Sequence, residues 1–347
     1  HSDLGFHGGS RKSMEVCNLC HTPQTTDPDT GNTLDMPVMT HKIHAGAALP
    51  SVQAGGKYVL IGFNQTVFDY SKILIPSGVN NCGACHQAGP PQATAYLENP
   101  SRAACGSCHD NIDWATGRGH LNLPQRDDSA CARCHRPEGE VDFDISIKGA
   151  HVTPRESRLL SGIKAELVGV ENTRPGGRIT VAFKIKDNKD NVIPLADLNR
   201  VALVLSGPTT DYVSPTSRGY ISEDPKAAGA QVSLSGDTYR YTFTNAIPAD
   251  AKGTFTVGIE TRRIERVLGG TPSQRDIQYG ADNKVLHFSV DGSRVAARRV
   301  IVTTEKCNAC HHNLVLHGEN RNKVEQCILC HNPVETDTAR RAANLQP

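Results

Sequence analysis

Aromatic side chains are scarce in this sequence. Phe, Tyr and Trp together make up 5% of 347 residues, with one Trp. Much of the apolar surface that closes a core of this size must therefore come from another source. Net charge is nearly absent too: 37 Lys and Arg face 36 Asp and Glu, a formal +1. That excludes the basic footprint of a nucleic-acid binder. No apolar run approaches the roughly 20 residues of a membrane-spanning helix, and no secretory leader opens the chain. No cysteine is left for a disulfide or a lipid anchor, because all 12 fall into C-x-x-C pairs.

Every one of the six pairs is followed directly by histidine. They are Cys17/Cys20 with His21, Cys82/Cys85 with His86, Cys105/Cys108 with His109, Cys131/Cys134 with His135, Cys307/Cys310 with His311, and Cys327/Cys330 with His331. C-x-x-C-H is the covalent attachment site of c-type heme. Two thiols add to the porphyrin vinyl groups, and the adjacent histidine reaches the iron from the proximal side. A zinc ribbon also uses C-x-x-C pairs, but it has no need of histidine after each second cysteine. We therefore expect at least six molecules of heme c, whose faces supply the apolar surface the aromatics do not. Three motifs start only 23 and 26 residues apart between Cys82 and His135. So little protein cannot separate three macrocycles, and near contact between them suits electron hopping. Heme is attached outside the cytoplasm, so the protein is expected to be exported. Either its leader has been removed or the sequence is an excerpt.

The chain reads as three segments. Residues 1–152 are loop-rich, with C-x-x-C-H motifs expected on short helices. Residues 155–304 hold no cysteine and show period-two alternation, as in Val181, Phe183 and Ile185, in Tyr239, Tyr241 and Phe243, and in Phe255, Val257 and Ile259. Further strands are expected over 164–170, 201–205, 231–234, 284–290 and 299–304, with a polar loop over 206–225. Short alternating strands between turn residues predict an all-β domain, a Greek-key sandwich or barrel. Its expected role is spacing, docking or partner contact. Residues 305–347 return to the heme pattern. The fold class is thus multidomain: loop-rich, partly helical multiheme domains flanking an all-β domain.

An internal repeat links the two ends. Leu4–Asp27 aligns without gaps on Leu314–Asp337, with 12 identities in 24 positions. His7 falls on His317 and Arg11 on Arg321. At the same offset His1 falls on the proximal His311, so His1 is expected to be a seventh proximal ligand if an upstream C-x-x-C exists. In the first segment five proximal positions (His1, His21, His86, His109, His135) meet five spare histidines (His7, His41, His44, His120, His151). That balance predicts bis-histidine ligation. His41 and His44 share one helix face, and His317 is a distal candidate through His7. His312 and His287 are expected not to be ligands, His287 as a solvent-facing strand position. Met36 and Met39 are read as packing residues. The turn Asp27–Asn32 offers oxygen ligands for Ca2+ but departs from the full EF-hand loop, and a plain polar turn is the stronger reading.

L-x-x-H-G before a C-x-x-C-H, the His41-Lys42-Ile43-His44 segment, closely spaced motifs, and a β domain leading into another C-x-x-C-H together resemble the outer-membrane decaheme cytochromes of the OmcA/MtrC type. The resemblance implies two pentaheme modules alternating with two split β-barrels. Residues 1–152 resemble the first pentaheme module, 155–304 the second β domain, and 305–347 the start of the second module. The first β domain, the first C-x-x-C and most of the second module have no counterpart here. The β domain also lacks the cysteine pair of some members. The resemblance implies a protein at the cell surface, outer membrane or exterior of a Gram-negative bacterium. Its implied partners are an outer-membrane electron conduit or other cytochromes, and extracellular acceptors such as metal oxides, flavins and humics. Electron transfer rather than bond-making catalysis is expected. A polymerised cytochrome filament formed by self-assembly, or a multiheme oxyanion reductase, are the alternatives. The reductase needs an iron with an open site, and no motif departs from C-x-x-C-H.

Overall fold

The computed structural model describes residues 3–336. They form two compact units, one ending at Thr153 and one beginning at Pro154.

The first unit has helices α1 (Met14–Asn18), α2 (Met36–Ala45) and α3 (Pro50–Gln53), then a hairpin of β1 (Val59–Gly62) and β2 (Thr66–Asp69). Helices α4 (Ala95–Glu98), α5 (Arg102–Gly106), α6 (Cys131–Cys134) and α7 (Ile147–Ala150) follow. Each C-x-x-C-H here closes one helical turn. The histidine N–H donates to the carbonyl of the first cysteine at 3.0 Å for His21 and 2.9 Å for His86, His109 and His135. Ser13, Ser101 and Ser146 accept from the first-turn amides of α1, α5 and α7, which offsets the open N–H groups of such short helices. Pro37 sits in the first turn of α2, where a missing N–H costs nothing. Gly46 ends α2 with φ +34°; a Cβ there would lie 2.4 Å from the Ile73 carbonyl oxygen. Ala45, Leu49, Tyr58 and Leu60 form a small core, with Met39, Ile43 and Cys108 packed against it. Met39 is thus a packing residue, as expected.

The Asp27–Asn32 turn is closed on itself. Asp27 is buried, and its carboxylate accepts from Asp29 N at 3.0 Å, Thr30 Oγ1 at 2.7 Å and Ile61 N at 2.8 Å. Three donors converging on one carboxylate give the hydrogen-bonding pattern of a polar turn.

The second unit is a pair of antiparallel sheets. Its strands are β3 (Lys164–Glu171), β4 (Thr180–Lys186), β5 (Arg200–Ser206), β6 (Tyr220–Glu223), β7 (Gln231–Ser235), β8 (Thr238–Thr242), β9 (Thr254–Val267), β10 (Arg275–Tyr279) and β11 (Lys284–Ser289). One sheet runs β10-β9-β5-β6 with β11 also on β9, and the other runs β3-β4-β8-β7. Val181, Phe183, Ile185, Val257 and Ile259, whose alternation is visible in the chain, are buried in this unit, as are Val201, Leu203 and Leu205 of the strand expected over 201–205. Helices α8 (Thr304–His311) and α9 (Val324–Cys330) belong to the same unit. The repeat is visible in the backbone: Phe6 bridges Arg11 as Leu316 bridges Arg321, and α1 and α9 start at equivalent positions.

Three local expectations need correction. Residues 299–304 are not a strand, since Thr304 opens α8 and Val300, Ile301 and Val302 stand exposed without a partner strand. Arg298 and Arg299 instead tie the segment to the Thr210 carbonyl, each at 2.6 Å. Within 206–225, β6 pairs with β5. His287 is half-buried rather than solvent-facing, with Nδ1 2.7 Å from Thr256 Oγ1, because α9 covers the outer face of its sheet.

Candidate functional site

The local turn puts each proximal histidine next to its two thiols, and tertiary folding then brings a second histidine opposite. His7 faces His21 with ring centres 6.1 Å apart, His41 faces His86 at 6.1 Å, His109 faces His151 at 6.3 Å, and His120 faces His135 at 6.0 Å. In the second unit His317 faces His331 at 6.1 Å. Two metal–imidazole bonds of about 2 Å, plus roughly 1 Å from each ring centre to its nitrogen, give about 6 Å. Five pairs therefore stand at the span of one iron atom.

The ring orientations agree with this. Nδ1 lies 2.9 Å from the Leu34 carbonyl in His21, 3.1 Å from Leu123 in His120, 2.9 Å from Ile145 in His135, and 2.7 Å from Ile147 in His151. His44 Nδ1 lies 2.8 Å from the Thr40 carbonyl. A carbonyl only accepts, so Nδ1 carries the proton and Nε2 is left as the ligand atom. His41 Nδ1 is buried without a well-aligned acceptor, although the Pro37 carbonyl one turn back still attracts its proton. Burial lowers the pKa of His41, helped by His86 and His44, and that of His109, helped by His151. Both shifts favour the neutral ring, the form a metal ligand needs.

The surroundings fit a covalent macrocycle better than a bare ion. Burial raises the thiols of Cys82, Cys105, Cys108, Cys131 and Cys327, and pushes Cys330 up to about 11. A zinc site requires thiolates, whereas a thioether carries no charge to desolvate. Among the described residues no three His, Cys, Asp or Glu side chains converge as a bare-ion site. Beside the ligands, Phe6, Leu19 and Leu121 are 56%, 78% and 88% exposed, apolar surface that a porphyrin face would cover.

His1 is outside the described residues. Among those described, no histidine faces His311 at this spacing. His312 meets the Glu156 carboxylate at 3.0 Å. Reading the chain missed the residues that lock the pairs in place. Lys42, between His41 and His44, binds Asp110, next to His109, at 2.9 Å, and Ser51 Oγ binds the same carboxylate at 2.6 Å. This clamp ties the distal helix α2 to the third motif. Trp114 stands beside the His120 ring at 5.7 Å and against Gly106, where a Cβ would come within 3.3 Å of the indole nitrogen. The one available signal was a charged residue embedded in each motif, Lys in His-x-x-His and Asp directly after Cys-x-x-Cys-His.

Comparison with known proteins gives the same picture. The family described as outer membrane cytochrome MtrC/MtrF-like, domains II/IV, matches residues 1–146 and 299–346. The multiheme cytochrome MtrC of Shewanella baltica (strain OS185) is 26% identical over 192 residues, covering 54% of this chain and 24% of that protein. The crystal structure of the outer membrane decaheme cytochrome OmcA superposes with a TM-score of 0.69 at 23% identity, over 95% of this chain and 51% of that one. The crystal structure of MtrC from Shewanella baltica OS185 gives 0.64 at 21% identity, over 96% and 55%. The chain thus spans about a quarter of the curated relative and about half of each solved structure. With more than half of its residues matched by the family, this chain belongs to the outer membrane MtrC/MtrF-like cytochromes of the OmcA/MtrC type.

Proposed function

We propose that this chain is a multiheme electron wire, working by outer-sphere transfer between closely spaced, six-coordinate irons. The observation that carries the reading is the set of five histidine pairs 6.0–6.3 Å apart, each including the histidine of a C-x-x-C-H. Bound heme c would supply the one-electron iron couple. The twelve cysteines (Cys17, Cys20, Cys82, Cys85, Cys105, Cys108, Cys131, Cys134, Cys307, Cys310, Cys327 and Cys330) attach it. His21, His86, His109, His135, His311 and His331 are the proximal ligands. His7, His41, His120, His151 and His317 serve as distal ligands, with His44 a further distal candidate and His1 a further proximal one. With an imidazole on each side of an iron, no position is left for a substrate atom, so the residues favour conduction over bond making.

In this reading the loop-rich segment 1–152 is one multiheme body. The β domain 155–304 holds the start of a second at 305–347. Electrons enter from an outer-membrane conduit or another cytochrome and leave to external acceptors such as metal oxides, flavins or humics. Intact mass and a pyridine hemochrome assay test the count: at least six covalent hemes per chain are expected, and fewer on fully matured protein would refute a site. Stopped-flow oxidation of the reduced protein by ferric oxide and by flavin then tests the acceptor class. Rapid reoxidation by nitrite or hydroxylamine with multiple turnovers would favour the reductase reading instead.

A further inference from the structure

The β domain was expected to space or dock the heme modules, yet its sheet holds the distal-histidine loop directly. Gly318, next to His317, has its carbonyl bound by Gln278 Nε2 at 3.0 Å and Arg262 Nη1 at 3.4 Å. Asn283 binds the Asn320 carbonyl at 2.8 Å and exchanges hydrogen bonds with Asn322 at 2.7 and 2.9 Å. At the centre is Glu260 of β9, fully buried. Its carboxylate accepts from Arg321 Nε at 2.6 Å, Arg200 Nη2 at 3.0 Å and Gln326 Nε2 at 3.1 Å. Arg321 ends the loop that begins before His317, and Gln326 precedes Cys327. Leu329, inside the Cys327–Cys330 motif, is fully buried against Val204 and Tyr212.

The internal repeat supplies a control within the same chain. Arg11, the counterpart of Arg321, is exposed, and among the described residues it has no acidic partner. Leu19, the counterpart of Leu329, is 78% exposed. The same motif is thus gripped by charge and packing at one end of the chain and not at the other. A buried carboxylate flanked by two guanidinium groups is a local excess of positive charge in a low-dielectric setting, where charges act strongly on a nearby redox centre.

Resting on the heme reading above, we infer that Glu260 is a positioning residue that fixes Arg321 and the His317 loop, so that the β sheet sets the reduction potential of the heme between His317 and His331. Two variants test it by spectroelectrochemical titration of the holoprotein. Glu260→Gln keeps the shape, removes a negative charge and should raise the potential of a single heme's share of the absorbance. Arg321→Gln removes a positive charge and should lower that same fraction. Each change should be about tenfold in the reduction equilibrium, which is 59 mV for one electron. The other hemes should not move. Opposite signs at one heme are the signature, since mere loosening of the loop would move both variants the same way. Should either fail to assemble, Arg200→Gln decides: Arg200 belongs to the sheet rather than the loop, and its loss should lower the same potential. Shifts of one sign in both variants, or no shift in any variant that folds, would overturn the inference. The heme count and ligation of the unmodified protein are measured separately, so failure of the heme reading would be recognised as such.

Discussion

A single imidazole decides what each iron can do. His41 lies on α2, which carries it to within an iron's span of His86, 45 positions along the chain. Replacing His41 with Ala removes one axial bond and leaves the proximal one. We expect one additional high-spin heme in the ferric electron paramagnetic resonance spectrum, while the hemes elsewhere stay low-spin. An unchanged spectrum would mean that His41 is not a ligand. The proposed proximal positions were legible in the sequence because attachment chemistry is local: two thiols and a histidine within one helical turn. The proposed distal positions were legible only as a count. Which histidine meets which depends on tertiary folding, and no spacing rule links His109 to His151 rather than to His120.

Elements explain how such short helices hold still. β9 can carry α9 at close range because Gly258 has no side chain: a Cβ there would fall 2.0 Å from Gln326 Oε1 and 2.8 Å from Leu329 Cδ1. Gly258→Ala should therefore cost about 1–3 kcal/mol through overpacking, lowering the melting temperature of the second unit by several degrees in calorimetry. An unchanged melting temperature would show that α9 is free to shift. The opposite sheet has an electrostatic clasp. Asp237, in the turn between β7 and β8, binds Lys186 at 2.6 Å and Lys184 at 3.0 Å, both on β4. Lys186, then Lys184 and Thr238, hold its carboxyl well below the usual range. A folded pKa below the unfolded one stabilises the protein above the ordinary carboxylate pKa and ceases to do so as pH falls through the folded value. Asp237→Asn should thus destabilise at neutral pH, with the difference shrinking as acid is added, measured by urea unfolding. A difference that persists in strong acid would contradict the clasp.

The same scale shows what patterning reveals and what it hides. β4 and β8 alternate because one face of each meets the core, whereas β5 is buried on both faces under α9. β6 has only four residues, and β10 places Arg275 and Asp276 on exposed positions, so neither carries a clear period. The Val300–Val302 run has strong β propensity but no partner strand. Propensity without pairing does not make a strand.

For the molecule as a whole, the described part of the C-terminal heme segment lies in the same compact unit as the β domain. The sequence suggested a boundary near residue 305, where cysteine returns. The Glu260, Asn283 and Leu329 contacts cross that boundary, and no composition signal predicts a buried carboxylate meeting an arginine 61 positions away. In the proposed function, paired histidines close the irons to external ligands. Carbon monoxide titration of the fully reduced protein, followed in the Soret band and counted against total heme, tests it most directly. Binding is expected at no more than one of the six motif hemes, that of His311. Uptake at two or more would contradict it.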